Sequence, residues 1–287
     1  MTQAQDEIKK ALVKFKDLPA LSDVVAKVMR IVANPFTSAS DLNQVISFDQ
    51  ALTFKVLRLA NSAYYGFPHE INTITQAVTI LGFNTLRNLA LSISVHKMLF
   101  SEKEKPHFSH RDFWKHCVGT AVASRLLAKR IGYKSEDNAF TAGLLHDIGK
   151  SVLDKVMHEE FMKALQYSKQ YEKPLWEAEQ KFCGVTHTYV GGLLAEIWNL
   201  PTELKFAMEH HHDLEWNSDM DILAAIVHAA NEFCREGSVG SAGDFGPLAL
   251  RDDVRKLLDL NVESQVEISR ELNERMKEAE DFLKIQK

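Results

Sequence analysis

Residues 139–150 read AFTAGLLHDIGK, and the chain is organised around them. The apolar run Phe140, Ala142, Leu144 and Leu145 leads into His146-Asp147 and stops at Gly149. Apolar neighbours bury the pair, and a buried polar group without a partner costs a few kcal/mol. Adjacent residues on a helix point about 100° apart. On a helix over 138–148, one member of the pair could therefore hold an ion terminally while the other reaches a second ion. Imidazole and carboxylate together form a hard-to-borderline donor set suited to Fe, Mn, Zn or Ni. Gly143 and Gly149 would let neighbouring helices come close or end the turn.

Working outward, the 287 residues are 45% hydrophobic and 25% charged, the balance of an ordinary globular chain. Glycine and proline are sparse and strand-like alternation is rare, so an all-α fold is expected. The net charge of −5 speaks against a broad basic footprint, and nucleic acid is not expected as a partner. Cys117, Cys183 and Cys234 are odd in number and widely spaced. They suit neither a disulfide framework nor a metal knuckle, and they predict a reducing, cytoplasmic setting. The opening MTQAQDEIKK has no apolar leader core, and no apolar run of about 20 residues exists, so no membrane span is expected.

In the first hundred residues, apolar periodicity predicts helices over 2–16 and 21–33, broken by Pro19 and Pro35. Ser40 is read as the N-cap of a helix over 41–48, and Asp49 as that of 50–61. A turn-rich loop, NSAYYGFPHEIN, fills 61–72. Helices over 73–81 and 84–99 follow, separated by Gly82-Phe83, the second apolar enough to be mostly buried. Residues 101–109 read as a polar linker.

Beyond it the predicted helices are longer. Arg111–Ile131 carries His116, 138–148 carries the His-Asp pair, and 151–171 is one amphipathic helix. Leu175–Cys183 is followed by 186–198 with His187 near its start, then 202–212 ending in His210, His211 and His212. Residues 221–236 carry His228 and Asn231. A flexible loop, GSVGSAGDFG, spans 237–246, and helices over 248–260 and 264–283 close the chain. In the last, Ile268, Leu272, Met276, Ala279 and Leu283 recur at helical steps, which fits packing on the body of the protein or, alternatively, a homodimer seam. The chain thus divides at 1–100, 101–245 and 246–287.

Several of the twelve histidines fall where helix ends could converge, one or two per helix over five helices. Metal sites inside helical bundles draw their ligands in this way. HDIGK, the preceding Trp114-Lys115-His116, a later histidine at a helix start and a later histidine pair resemble the HD superfamily of metal-dependent phosphohydrolases. The whole chain, over about 15–285, is more similar still to the HDOD family, the HD-related output domain of bacterial signal transduction. LPALSDVVAKVM at 18–29, DQALTFKVLRLANSAYYG at 49–66 and ITQAVTILGFNTLRNLALS at 74–92 carry that resemblance. GLLHDIGK and, at 223–237, LAAIVHAANEFCREG carry it in the second half.

The resemblance implies an N-terminal helical bundle packed on an HD-like helical domain, and a regulatory role. By position it assigns His116, His146 and Asp147 to the first three ligand places, with Asp147 bridging. His187 matches the additional histidine of the two-metal branch. His211 and His212 match its histidine pair, with His210 as the alternative. The last place, an aspartate in the family, holds Asn231, which offers only a neutral oxygen and removes a charge from the site. Lys150 could meet a phosphate or complement the negative end of the His-Asp helix. His228 reads as structural, and His69, His96, His107, His110 and His158 as surface. The signature expected after the histidine pair for cyclic-dinucleotide recognition is replaced by DLEWNSDMD.

Two functions follow from the resemblance. One is a signal-transduction output module acting through regulatory protein partners or a ligand, with a metal-occupied but degenerate site for one or two divalent transition metals. Here the loop residues Tyr64, Tyr65, Phe67 and Pro68 would be a contact surface or a packing seam. The alternative is a metal-dependent, phosphodiesterase-like phosphohydrolase with a two-metal site bridged by Asp147 and Lys150 against the substrate.

Overall fold

Every regular element among the described residues of the computed structural model is a helix. Those residues are 3–14, 23–32, 34, 36–100, 108–213, 220–248 and 250–285. The first hundred residues hold α1 (Gln3–Lys14), α2 (Asp23–Val32), α3 (Ala39–Ser47), α4 (Gln50–Ala60), α5 (Ile74–Leu81) and α6 (Phe83–Leu99). Next come α7 (His110–Arg130), α8 (Glu136–Leu145), α9 (Gly149–Val156), α10 (His158–Tyr171) and α11 (Leu175–Phe182). The rest are α12 (His187–Ile197), α13 (Thr202–His210), α14 (Met220–Glu236), α15 (Asp252–Leu257), α16 (Val262–Glu278) and α17 (Glu280–Leu283). The all-α expectation holds. The linker residues 101–107 and the segment 214–219 lie outside the described residues.

Two compact units divide the chain: Pro19–Glu102 with Arg270–Lys287, and Met1–Leu18 with Lys103–Ser269. So α1 groups with the histidine-bearing unit, and the C-terminal helices form no unit of their own. In the first of these units, α2, α3, α4, α5 and α6 pack around Val28, Leu42, Ile46, Val56, Leu59, Leu86 and Leu89. As expected, α6 is mostly buried. Gly82, at φ 84°, makes the 119° bend between α5 and α6, a conformation that a side chain would resist. The cap of α3 is Ser38 rather than Ser40. Ser38 Oγ accepts from the Asp41 amide and the Asp41 carboxylate accepts from the Ser38 amide, closing a capping box. Asp49 caps α4 as read, accepting from the Leu52 amide. Asn61 pins the following loop through both ends of its amide, which bond the backbone of Ile71 at 2.7 and 2.8 Å. Tyr64 and Tyr65 lay their rings against Phe282 of α17.

In the second unit α8 lies along α7, with α14 against α7 and α8, and α12 against α9 and α13. Four expected helix spans are corrected here. The 138–148 helix ends at Leu145, leaving His146 and Asp147 in the turn before α9. The 151–171 helix is two helices, α9 and α10, parted at Met157 (φ −130°, ψ 48°). The 248–260 helix shortens to α15, and the last one divides at Ala279. Ile268, Leu272, Met276 and Ala279 are buried within the chain itself. All three cysteines are free and buried. Among the described residues no single helix is long and apolar enough to cross a membrane.

Candidate metal centre

The turn between α8 and α9 is built from three-residue hydrogen bonds: Ile148 N–H to Leu145 O, Lys150 N–H to Asp147 O and Ser151 N–H to Ile148 O. It tightens the chain just as α8 ends and turns His146 and Asp147 inward. Two glycines permit the surrounding contacts. A Cβ on Gly143 would meet Thr120 O of α7 at 2.6 Å, and one on Gly149 would meet His187 O of α12 at 2.0 Å. The backbones of α7, α8, α9 and α12 thus converge on this turn. His116 comes from α7, and His187 is the first residue of α12. His211 caps α13 and His212 follows it. Asn231 comes from α14.

Asp147 is the hub. Its Oδ2 receives a hydrogen bond from Lys150 Nζ at 2.7 Å and lies 3.2 Å from His146 Nε2 and 3.7 Å from His116 Nε2. Its Oδ1 lies 3.2 Å from His187 Nε2 and 3.7 Å from His211 Nε2. Ligand atoms of Asp147, His187, His211 and His212 all fall within 4.8 Å of one another, and so do those of His116, His146 and Asp147. The rings of His211 and His212 are 4.2 Å apart, and those of His187 and His212 are 5.2 Å apart.

The far side of the rings fixes what the near side can do. His146 Nδ1 faces Gly143 O at 2.8 Å, His187 Nδ1 faces Glu179 Oε2 at 2.6 Å, and His211 Nδ1 faces Met208 O at 3.1 Å. Carbonyl and carboxylate oxygens only accept, so in each neutral ring the proton sits on Nδ1 and the Nε2 lone pair points inward. His228 Nδ1 faces His211 O at 2.9 Å, holding the end of α13 in place. Glu179 also accepts from the His187 amide at 2.8 Å. Thr120 Oγ1 lies 3.5 Å from His116 Nε2, and the side chain of Asn231 is near enough to act on the His116 ring.

Burial dominates the electrostatics. It pushes His116 and His211 down to about 3 and His212 well below the ordinary histidine value, so these rings are neutral. Burial alone would raise the Asp147 carboxyl, but the His146 ring and the Lys150 ammonium outweigh it and hold Asp147 well below the usual carboxylate range. Neutral rings at His116, His211 and His212 thus surround one carboxylate.

Five of these inward atoms lack any hydrogen-bond partner: His146 Nε2, His187 Nε2, His211 Nε2, His212 Nε2 and Asp147 Oδ1. Native proteins rarely leave buried polar atoms unpaired, and five aimed at one place need a common partner. Imidazole lone pairs converging on a carboxylate oxygen fit a divalent transition metal by donor type, and the outward Nδ1 bonds are what metal-bound histidines make.

The structure therefore brings His116, His146, Asp147, His187, His211, His212 and Asn231 together. His210 lies apart, with its ring 4.3 Å from that of Phe206. Lys150 does not complement a helix end or face solvent; it is bonded to Asp147 inside the cluster. His228 is structural as read. His96 and His110, read as surface, are buried, His96 stacked on Phe100 at 4.4 Å. His107 lies outside the described residues. Glu179 was missed. Its signal was a carboxylate on the apolar face of an amphipathic helix, beside Leu175 and Ala178, which are buried with it.

Residues 18–214 match the family profile of the HDOD domain. The chain belongs to the HDOD family. The match covers every member of the cluster except Asn231, which lies beyond it. An uncharacterised protein of Treponema pallidum is 28% identical over 202 residues, 70% of this chain but 39% of that protein. The chain thus spans about two fifths of that relative's length. An HDOD domain protein of unknown function from Geobacter sulfurreducens has a crystal structure similar to this HDOD chain, with TM-score 0.77 and 25% identity, covering 96% of this chain and 97% of that one. A protein from Shewanella amazonensis, provisionally named a phosphohydrolase, shares the fold at TM-score 0.75 and 22% identity, over 97% of both chains.

Proposed function

We propose that the protein is a signal-transduction output module without catalytic turnover, whose histidine cluster holds a divalent metal as part of its fold and whose output is the binding of a regulatory protein. The observation that carries this reading is the near-closure of the site. His116, His146, Asp147, Lys150, His187, His211 and Asn231 are all buried, His146 and His187 at 0% exposure, and only His212 is half-buried. Structural metal sites are closed, whereas catalytic ones keep a position open to substrate. Lys150 spends its ammonium on Asp147 rather than reaching for an incoming phosphate. Asn231 withholds the charge that an aspartate would bring. Membership of the HDOD family supports the signalling role.

Exposed aromatic residues for a protein contact include Phe67 of the loop at 61–72, at 41% exposure, and others outside it. Tyr64 and Tyr65 are packed on Phe282, while Phe36, Phe48 and Phe54 are 91%, 79% and 63% exposed. Such residues are the kind that a partner covers.

The test is a turnover assay of the full chain loaded with Mn2+ or anaerobic Fe2+, on cyclic dinucleotides and a chromogenic phosphodiester. No sustained hydrolysis is expected. Hydrolysis that disappears in His146→Ala would overturn the reading in favour of a phosphohydrolase. The intact set of histidines favours that second reading, and under it Asn231→Asp would raise the rate.

A further inference from the structure

The two oxygens of Asp147 face different company. Oδ2 accepts from Lys150 Nζ at 2.7 Å and looks toward His146 and His116. Oδ1 has no partner and looks toward His187 and His211, with His212 in the same group. The charge behind the rings is also unequal. His187 is backed by the buried Glu179 carboxylate. His146 is backed by a neutral carbonyl.

A divalent ion beside Oδ2 would face the Lys150 ammonium across a few ångströms, inside a dry site. Like charges so placed repel strongly, because little water screens them. An ion beside Oδ1 would meet three imidazole lone pairs and a carboxylate oxygen, with the negative charge of Glu179 one ring away. Three nitrogens and one oxygen complete a four-coordinate shell for a borderline metal.

We propose that the chain holds a single divalent transition metal on Asp147 Oδ1 and the Nε2 atoms of His187, His211 and His212, and that the Lys150 ammonium stands beside Oδ2 in place of a second ion. The proposal rests on reading the cluster as a metal centre and adds its stoichiometry and its lopsidedness. Lys150 is then a built-in cation. It neutralises the half of the site that the His116 and His146 side leaves without a metal.

The experiment strips the full chain with chelator, reloads it with Mn2+, removes the excess, counts metal by elemental analysis and records the electron paramagnetic resonance spectrum. Wild type is expected to hold one Mn2+ per chain with the spectrum of an isolated ion. His116→Gln, chosen to keep a hydrogen-bonding side chain, is expected to do the same. His211→Ala is expected to hold none. The double variant Lys150→Met, Asn231→Asp removes the ammonium and supplies a carboxylate, and is expected to take two ions with an exchange-coupled spectrum. Two ions in the wild type would overturn the proposal and leave the metal centre standing. Loss of the ion in His116→Gln, with an unchanged far-ultraviolet circular dichroism spectrum, would put the ion on the wrong half and overturn it too. A folded double variant that still holds one ion would remove the role given to Lys150. No binding of Mn2+, Zn2+ or anaerobic Fe2+ by the wild type would overturn the metal centre itself.

Discussion

Asp147 and Glu179 are two buried carboxylates with different tasks. Asp147 gathers the rings and the lysine, while Glu179 orients one ring and holds its tautomer. Glu179→Gln keeps the shape but replaces the charged acceptor. Losses of this kind behind a metal-bound histidine typically cost about 10–100-fold in metal affinity. Calorimetric titration with Mn2+ should show that loss, with the helical content unchanged. An affinity equal to wild type would mean that Glu179 merely fills space. At this scale most of the candidate site was legible in the sequence, because histidine and aspartate at motif positions announce themselves by type. What type alone could not say was where the Nε2 atoms point, or that Lys150 turns inward. Nor could it separate His96 and His110 from true surface residues, since a histidine's burial depends on neighbours distant in sequence. Glu179 carried a signal in its apolar setting, but a lone glutamate on an amphipathic helix is easily taken for a solvent-facing one.

Helix existence was readable from apolar periodicity, but helix ends were less so. His146 (φ −49°, ψ −40°) and Ile148 (φ −58°, ψ −24°) keep helical dihedrals through the turn that separates α8 from α9. The change lies in the hydrogen-bond pattern, to which the residue types are indifferent. The break at Met157 likewise has no glycine or proline to mark it, and the amphipathic pattern runs through it. Ser38 and Ser40 were equally good caps by type, and Asp41 decided between them by lying three residues after Ser38. The close approach of α9 to α12 makes its own demand on sequence. Gly149→Ala would drive a Cβ into His187 O, whereas Gly191→Ala meets Met208 Cε only at an ordinary 3.6 Å. Overpacking of the first kind costs about 1–3 kcal/mol. Urea unfolding should show that loss for Gly149→Ala, together with weaker metal binding, and a much smaller change for Gly191→Ala. Equal midpoints would contradict the packing described for this junction.

Acid should act on the protein as a whole through its neutral buried rings. His116 and His211 are depressed from 6.5 to about 3, so the unfolded chain binds more protons throughout that window. Their contribution to stability is complete above pH 6.5 and is lost as pH falls toward 3, at about 1.4 kcal/mol per pH unit for each ring. Asp147, held well below the usual carboxylate range, works in the same direction at the acid end. The denaturation midpoint of metal-free protein should therefore fall steadily from pH 7 to pH 4.5. A flat profile would mean that the cluster is solvated and the rings titrate normally. Bound metal would oppose the loss, adding about 2.7 kcal/mol when its free concentration is a hundred times its dissociation constant.

We propose that the histidine unit of this HDOD protein is organised around a bound metal. This claim is tested most directly by elemental analysis of the full chain purified without oxygen, wild type beside Asp147→Ala. Near-stoichiometric metal in the wild type and none in the variant is the expected result. Absence of metal from both, with the helical circular dichroism spectrum intact, would contradict the claim and leave the converging histidines as a purely structural core.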